Sequence, residues 1–146
     1  GFASVPGRSR ITDGSVTVIE DWYNASVDST TTILDYMGTL PWSGRKLAVL
    51  GSMKELGAAT DSAHRQVARK LLSCDLDEIY LYGKEMESAF SELKKLGFDR
   101  NVFFTDDYDA LQDRMAAQTR KGDLVLLKGS RAMAMERLVP ALTSIA

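Results

Sequence analysis

The chain has 146 residues, of which 45% are apolar, enough for one domain with its own core. A net charge of -2 and a pI near 5.4 exclude binding driven by a nucleic-acid backbone, and no apolar run reaches the ~18–20 residues that span a bilayer. One cysteine, Cys74, excludes an internal disulfide framework and fits a reducing compartment, while a single histidine beside it argues against a zinc site. The opening Gly1-Phe2-Ala3-Ser4-Val5-Pro6 carries no secretory signal.

Short β-type runs alternate with longer helical ones. Residues 1–9 lack periodicity and read as a linker, and Ile11–Val16 reads as a β-turn with Asp13-Gly14 at its tip. Val16–Ile19 is the first strand. A helix over about Ser29–Leu40 carries Ile33, Met37 and Leu40 on one face, with Asp28 or Ser29 as its cap and Pro41 as its stop. Leu47–Leu50 is a second strand, and about Asp61–Ser73 a helix burying Ala68, Leu71 and Leu72. Ile79–Tyr82 is a third strand, followed by a helix with Met86, Phe90, Leu93 and Leu96 as its stripe and Gly97 as its stop. Val102–Phe104 is a short strand, and Tyr108, Leu111 and Met115 mark the next helix. Leu124–Leu127 is a strand buried on both faces. Met135, Leu138, Val139, Leu142 and Ile145 mark a last helix. Five strand–helix units predict an α/β, Rossmann-like three-layer domain over 10–146. Its sheet is mainly parallel, of about six strands, with an N-terminal hairpin.

In open α/β sheets ligands bind beyond the carboxyl ends of the strands. Three unusual segments fall there: Glu20-Asp21-Trp22-Tyr23-Asn24, Gly51–Gly57, and Lys128-Gly129-Ser130-Arg131. Each has a plain structural reading. Asp21 and Asn24 suit a cap or turn, and Gly51 and Gly57 suit tight turns. Lys128 is harder to dismiss, because a cation ending a buried strand needs a partner or water. Ser130 and Arg131, at a helix start, suit a carboxylate or phosphate. His64 reads as a capping or exposed residue in the first turn of its helix, and Cys74 as a half-buried structural thiol.

No G-x-x-x-x-G-K-[ST] or G-x-G-x-x-G loop is present, and the single histidine lacks the surroundings of a hydrolase triad. Two classes remain. A phospho-acceptor receiver module shares the repeated βα pattern, but needs an aspartate ending its third strand, where this chain has Tyr82-Gly83-Lys84. The other class is one domain of a larger enzyme.

For the second class the residues are specific. Asp21–Ser29 resembles D-S-Y-N-A-N-P-D-S; Leu50–Gly57 followed by His64 resembles L-G-x-M-x-E-L-G…H. Gly122–Met133 followed by Glu136 resembles G-D-x-x-L-x-K-G-S-R-x-M…E. These are segments of the Mur ligase family, in the branch that joins D-Ala-D-Ala to a UDP-N-acetylmuramoyl-tripeptide. The resemblance runs from about Pro6 onward, and it implies the third domain of a three-domain, cytoplasmic bacterial enzyme. Such an enzyme makes an amide through an acyl phosphate, using ATP and Mg²⁺. Its partners in the same chain would be a UDP-sugar domain and a central ATPase domain. The central domain would hold the phosphate loop, the metal ligands and a carbamylated lysine, so the fragment alone is expected to be inactive.

By the same resemblance Arg8 would meet the ATP γ-phosphate, Asp21 the ribose hydroxyls, and Asn24 the nucleotide. Lys128, Ser130 and Arg131 would lie near D-Ala-D-Ala, in a pocket shaped by Met53, Glu55 and Leu56. Two departures stand out: Ser26-Val27 replaces Asn-Pro, loosening the turn, and Trp22 replaces a small polar residue.

Overall fold

The computed structural model describes residues 9–22, 25–98 and 101–146. Six strands form one sheet: β1 (Arg10–Thr12), β2 (Thr17–Asp21), β3 (Lys46–Gly51), β4 (Glu78–Tyr82), β5 (Val102–Thr105) and β6 (Leu124–Lys128). Their order is β1-β2-β6-β3-β4-β5, with β1 antiparallel to β2 and every other pair parallel. The five helices are α1 (Val27–Thr39), α2 (Thr60–Leu72), α3 (Glu87–Lys95), α4 (Tyr108–Gln118) and α5 (Leu138–Thr143).

This is the expected α/β sheet with its N-terminal hairpin. The strand order also separates the two classes left open by the sequence. Counting only the parallel strands, the last lies between the first and the second. A receiver-type sheet runs 2-1-3-4-5, with the second strand outside the first. The receiver reading is therefore corrected by topology as well as by its missing aspartate.

Alternation along the strands builds two cores. Ile19, Ala48, Leu50, Ile79, Leu81, Leu124 and Leu126 face α1, α2 and α3. Val18, Leu47, Val49, Tyr80, Val125 and Leu127 face the other way, with Leu111 and Met115 of α4 and Leu138 and Leu142 of α5. The uninterrupted apolar run of β6 follows directly, since every residue of that strand is buried. Gly97, at φ +85, ends α3 in the left-handed conformation a stop requires.

Four expectations are corrected. Helix α1 begins earlier, because Ser26 is its cap: Ser26 Oγ accepts from the Ser29 amide and Ser29 Oγ from the Ser26 amide, both at 3.0 Å. Leu72 and Leu96 are 37% and 46% exposed, so neither belongs to its helix's core stripe. The last helix is broken. Arg131–Met133 and Met135–Arg137 are single 3₁₀ turns joined by Ala134 in the left-handed region, and only α5 is α-helical.

Candidate functional site

The three motif segments, far apart in sequence, end on three adjacent strands. β6 lies between β2 and β3, so the Lys128 segment sits between the Asp21 and Gly51 segments. Asp21 is paired in register with Lys128, and Lys128 with Leu50. In-register neighbours on parallel strands point to the same face, about 4.8 Å apart. The Asp21 and Lys128 side chains meet as a result: Lys128 Nζ lies 3.1 Å from Asp21 Oδ2. The Gly129 amide extends the ladder by donating to the Asp21 carbonyl at 3.3 Å. Lys128 is 1% exposed and Asp21 8%. Burial pushes the Lys128 ammonium pKa below its ordinary value, and Asp21 partly offsets this.

Beyond β6 the chain folds back over the strand ends through two methionines. A Cβ on Gly51 would meet Met135 Sδ at 2.6 Å, and one on Gly129 would meet it at 2.7 Å. Gly51 is thus a packing residue, not a turn residue. Gly83, at φ +115, leaves room for Met133 and Ser52 in the same way. Both methionines are buried, and the chain passes between them through the left-handed Ala134. Arg137 locks the segment: its Nε donates to the Ala134 carbonyl at 2.6 Å, and its guanidinium sits 3.6 Å from the centre of the Tyr108 ring on α4.

The break removes the long helix start expected at Ser130, and with it the helix-dipole argument for an anion there. What remains is chemical. Ser130 Oγ is buried without a hydrogen-bond partner among the described residues, and Arg131 beside it is exposed.

The segment after β3 is organised by His64, which is fully buried and neither a cap nor exposed. Its Nε2 accepts from the Met53 amide at 3.0 Å, and its Nδ1 lies 2.6 Å from the Thr60 carbonyl. These partners define the neutral tautomer carrying its proton on Nδ1. Met53 is itself a core residue, 2% exposed, and Leu56 packs against the same core. Glu55 is exposed at φ +62, and Gly57 completes the turn at φ +57. Lys54 Nζ pairs with Glu85 Oε1 at 3.0 Å, tying this segment to the one after β4. Burial works to raise the Glu85 pKa, but hydrogen bonds from Lys54, its own backbone and Ser52 outweigh it and hold the carboxyl below its usual range.

Trp22 packs on the α4–α5 side of β2, and its indole Nε1 donates to Glu20 Oε1 at 3.0 Å. Glu20 is 4% exposed and also accepts from Arg10 at 3.1 Å. The large side chain that departs from the family pattern is thus accommodated by packing. Arg8 and Asn24 lie outside the described residues.

Glu85 and Arg137 carry no signal in the sequence, and Glu20 stands in a motif segment without its partners being legible. Each acts through a partner on another element, and no local pattern marks it. Two cavities, of about 170 Å³ beside Glu78 and Tyr80 and about 300 Å³ beside Lys46 and Cys74, lie at the opposite, amino-terminal end of the sheet. Cys74 is half-buried and burial pushes its thiol pKa up, which suits an inert residue. No three His, Cys, Asp or Glu side chains among the described residues gather as a metal site would need.

A six-stranded mixed sheet with this strand order and motif-bearing rim has a close counterpart among known proteins. Residues 7–131 match the family described as Mur ligase, glutamate ligase domain, and the chain belongs to that family. Within it, the chain is 37% identical over 139 residues to the UDP-N-acetylmuramoyl-tripeptide–D-alanyl-D-alanine ligase of Treponema pallidum, covering 93% of this chain and 29% of that one. It is 34% identical over 130 residues to the ligase of the same name from Bacillus subtilis, covering 88% and 28%. Among solved structures it resembles the MurF ligase from Thermotoga maritima in complex with ADP. That match has a TM-score of 0.75 at 29% identity and covers 97% of this chain and 31% of the other. The chain thus spans less than a third of these relatives.

Proposed function

We propose that residues 10–146 are the C-terminal domain, and residues 1–9 the hinge, of a bacterial cytoplasmic ligase. The ligase would use ATP to join D-Ala-D-Ala to UDP-N-acetylmuramoyl-tripeptide in peptidoglycan precursor synthesis. The observation that carries this reading is the convergence of the three motif segments on the adjacent ends of β2, β6 and β3. It is supported by the ligase names of the relatives and by the ADP complex among the structural neighbours.

In this reading ATP phosphorylates the tripeptide carboxylate. The D-Ala-D-Ala amine then attacks the acyl phosphate, forming the amide and releasing inorganic phosphate. UDP-sugar binding and phosphoryl transfer belong to the two other domains of the ligase. Mg²⁺ would neutralise charge on the transferring phosphoryl group, held by ligands in the central domain.

This domain closes over the central one and contributes both edges of the site. Asp21 and Asn24 meet the nucleotide, where a carboxylate suits paired ribose hydroxyls, and Arg8 meets the γ-phosphate across the hinge. Arg131 is an exposed cation for the dipeptide carboxylate, with Ser130 Oγ and Lys128 in the same segment. Glu55 and Leu56 edge that pocket, and Met53 holds their segment to the core. Closure aligns the amine and keeps water from the acyl phosphate.

The test is phosphate release by the ligase that carries this domain, followed with each substrate omitted in turn. Release that requires both the UDP-linked tripeptide and D-Ala-D-Ala is the expected result. Release supported by a different amine and not by D-Ala-D-Ala would overturn the substrate assignment. The isolated domain is expected to bind ATP weakly and to hydrolyse none.

A further inference from the structure

We infer that Lys128 is a positioning residue for the nucleotide side of the site: it acts by holding Asp21, and it does not bind the incoming dipeptide. The inference rests on the proposed function and reassigns one of its residues.

The geometry points one way. The Lys128 side chain is 2% exposed, against 11% for Asp21. An ammonium so enclosed cannot also form the direct ion pair that a dipeptide carboxylate would need, whereas exposed Arg131 can. The register fixes the pair from the backbone: Asp21 and Lys128 are Cα partners, and the Gly129 amide binds the Asp21 carbonyl. Asp21 is therefore clamped through both its main chain and its Oδ2. The Asp21 side chain keeps the larger exposure of the pair at the strand end, and such a preset acceptor does not reorganise when a hydroxyl donor arrives.

The pairing also joins the two edges of the site. Asp21 ends the first motif and Lys128 begins the third, so a substitution at Lys128 would be read out at the nucleotide although its own segment leads to Arg131.

The experiment uses the complete ligase and four forms: the parent, Lys128→Met, Asp21→Asn and the double variant. Affinity for ADP is measured by calorimetry and KM for D-Ala-D-Ala by phosphate release. Lys128→Met and Asp21→Asn should each weaken ADP binding about tenfold, as expected for a lost hydrogen bond to a charged group. The double variant should be no weaker than the worse single, and KM for D-Ala-D-Ala should stay within about twofold in all forms.

A raised dipeptide KM with unchanged ADP affinity in Lys128→Met makes Lys128 a direct ligand and overturns the inference. A lowered Tm with both substrate parameters unchanged in Lys128→Met, while Asp21→Asn weakens ADP, makes the pair merely structural and overturns it too. Unchanged ADP affinity in Asp21→Asn instead removes the nucleotide role of Asp21, a failure of the underlying reading that takes this inference with it. The double variant buries no unpaired charge, so it keeps the comparison open should a single variant fail to fold: a raised dipeptide KM there refutes the inference, and weakened ADP binding alone supports it.

Discussion

Replacing His64 by leucine removes a buried side chain that ties the segment after β3 to the first turn of α2 by hydrogen bonds. The imidazole is 0% exposed and makes two hydrogen bonds, accepting from the Met53 amide at 3.0 Å and donating to the Thr60 carbonyl at 2.6 Å. Leucine fills a similar volume, so the cavity cost is small. The cost comes from the Met53 amide, which is left in the core without an acceptor. A buried donor stranded in this way costs about 1–3 kcal/mol. Taking about 2 kcal/mol, and a shift of about 3–4 °C per kcal/mol for a domain of this size, Tm should fall by roughly 6–8 °C. Calorimetry of the domain measures the shift, and amide exchange reports its place: Met53 should lose protection while Leu126 in β6 keeps its own. A His64→Leu variant that melts within about 1 °C of the parent, with Met53 still protected, would refute this account of the loop.

Gly83→Ala should cost more stability than Gly51→Ala. At Gly83 a Cβ would collide with Ser52 Oγ at a backbone φ of +115, whereas at Gly51 it meets a thioether, Met135 Sδ, that can rotate away; paired thermal melts decide the order, and equal losses would contradict it. The Lys54–Glu85 tie should be acid-sensitive. Glu85 has a carboxyl pKa held below its unfolded value of 4.5, so its contribution is present above that pH and is lost as pH falls through the lower folded value. Glu85→Gln should therefore flatten the acid limb of a stability–pH profile, and an unchanged limb would show that the tie contributes nothing.

The sheet was largely legible because its signals are local. Each parallel strand is a short apolar run, and the Leu124–Leu127 run announces burial on both faces. The rim was legible as three segments but not as an arrangement: that Asp21 and Lys128 touch depends on β6 lying against β2, a pairing of sequence-distant strands that composition does not encode. The broken last helix was hidden for a related reason. Ala132-Met133-Ala134-Met135-Glu136 are good helix formers, yet Gly51 in β3, Gly129 just after β6 and Gly83 after β4 leave room for both methionines at the strand ends, and that packing overrides the propensity. Leu72 and Leu96 fit a helical stripe by spacing, but the buried face of each helix ends on Leu71 and Leu93, and the two later leucines are left outside it. The role of His64 was not legible because its partner is a backbone amide, that of Met53, which no side-chain pattern marks.

The proposed amine-side pocket on this rim turns on Arg131 as the exposed cation for the dipeptide carboxylate. Steady-state kinetics of Arg131→Ala in the complete ligase put that assignment to the test. The KM for D-Ala-D-Ala should rise by about tenfold or more, the loss of one charge-assisted contact, with the KM for ATP within about twofold of the parent. Equal increases in both, or an unchanged dipeptide KM, would contradict it.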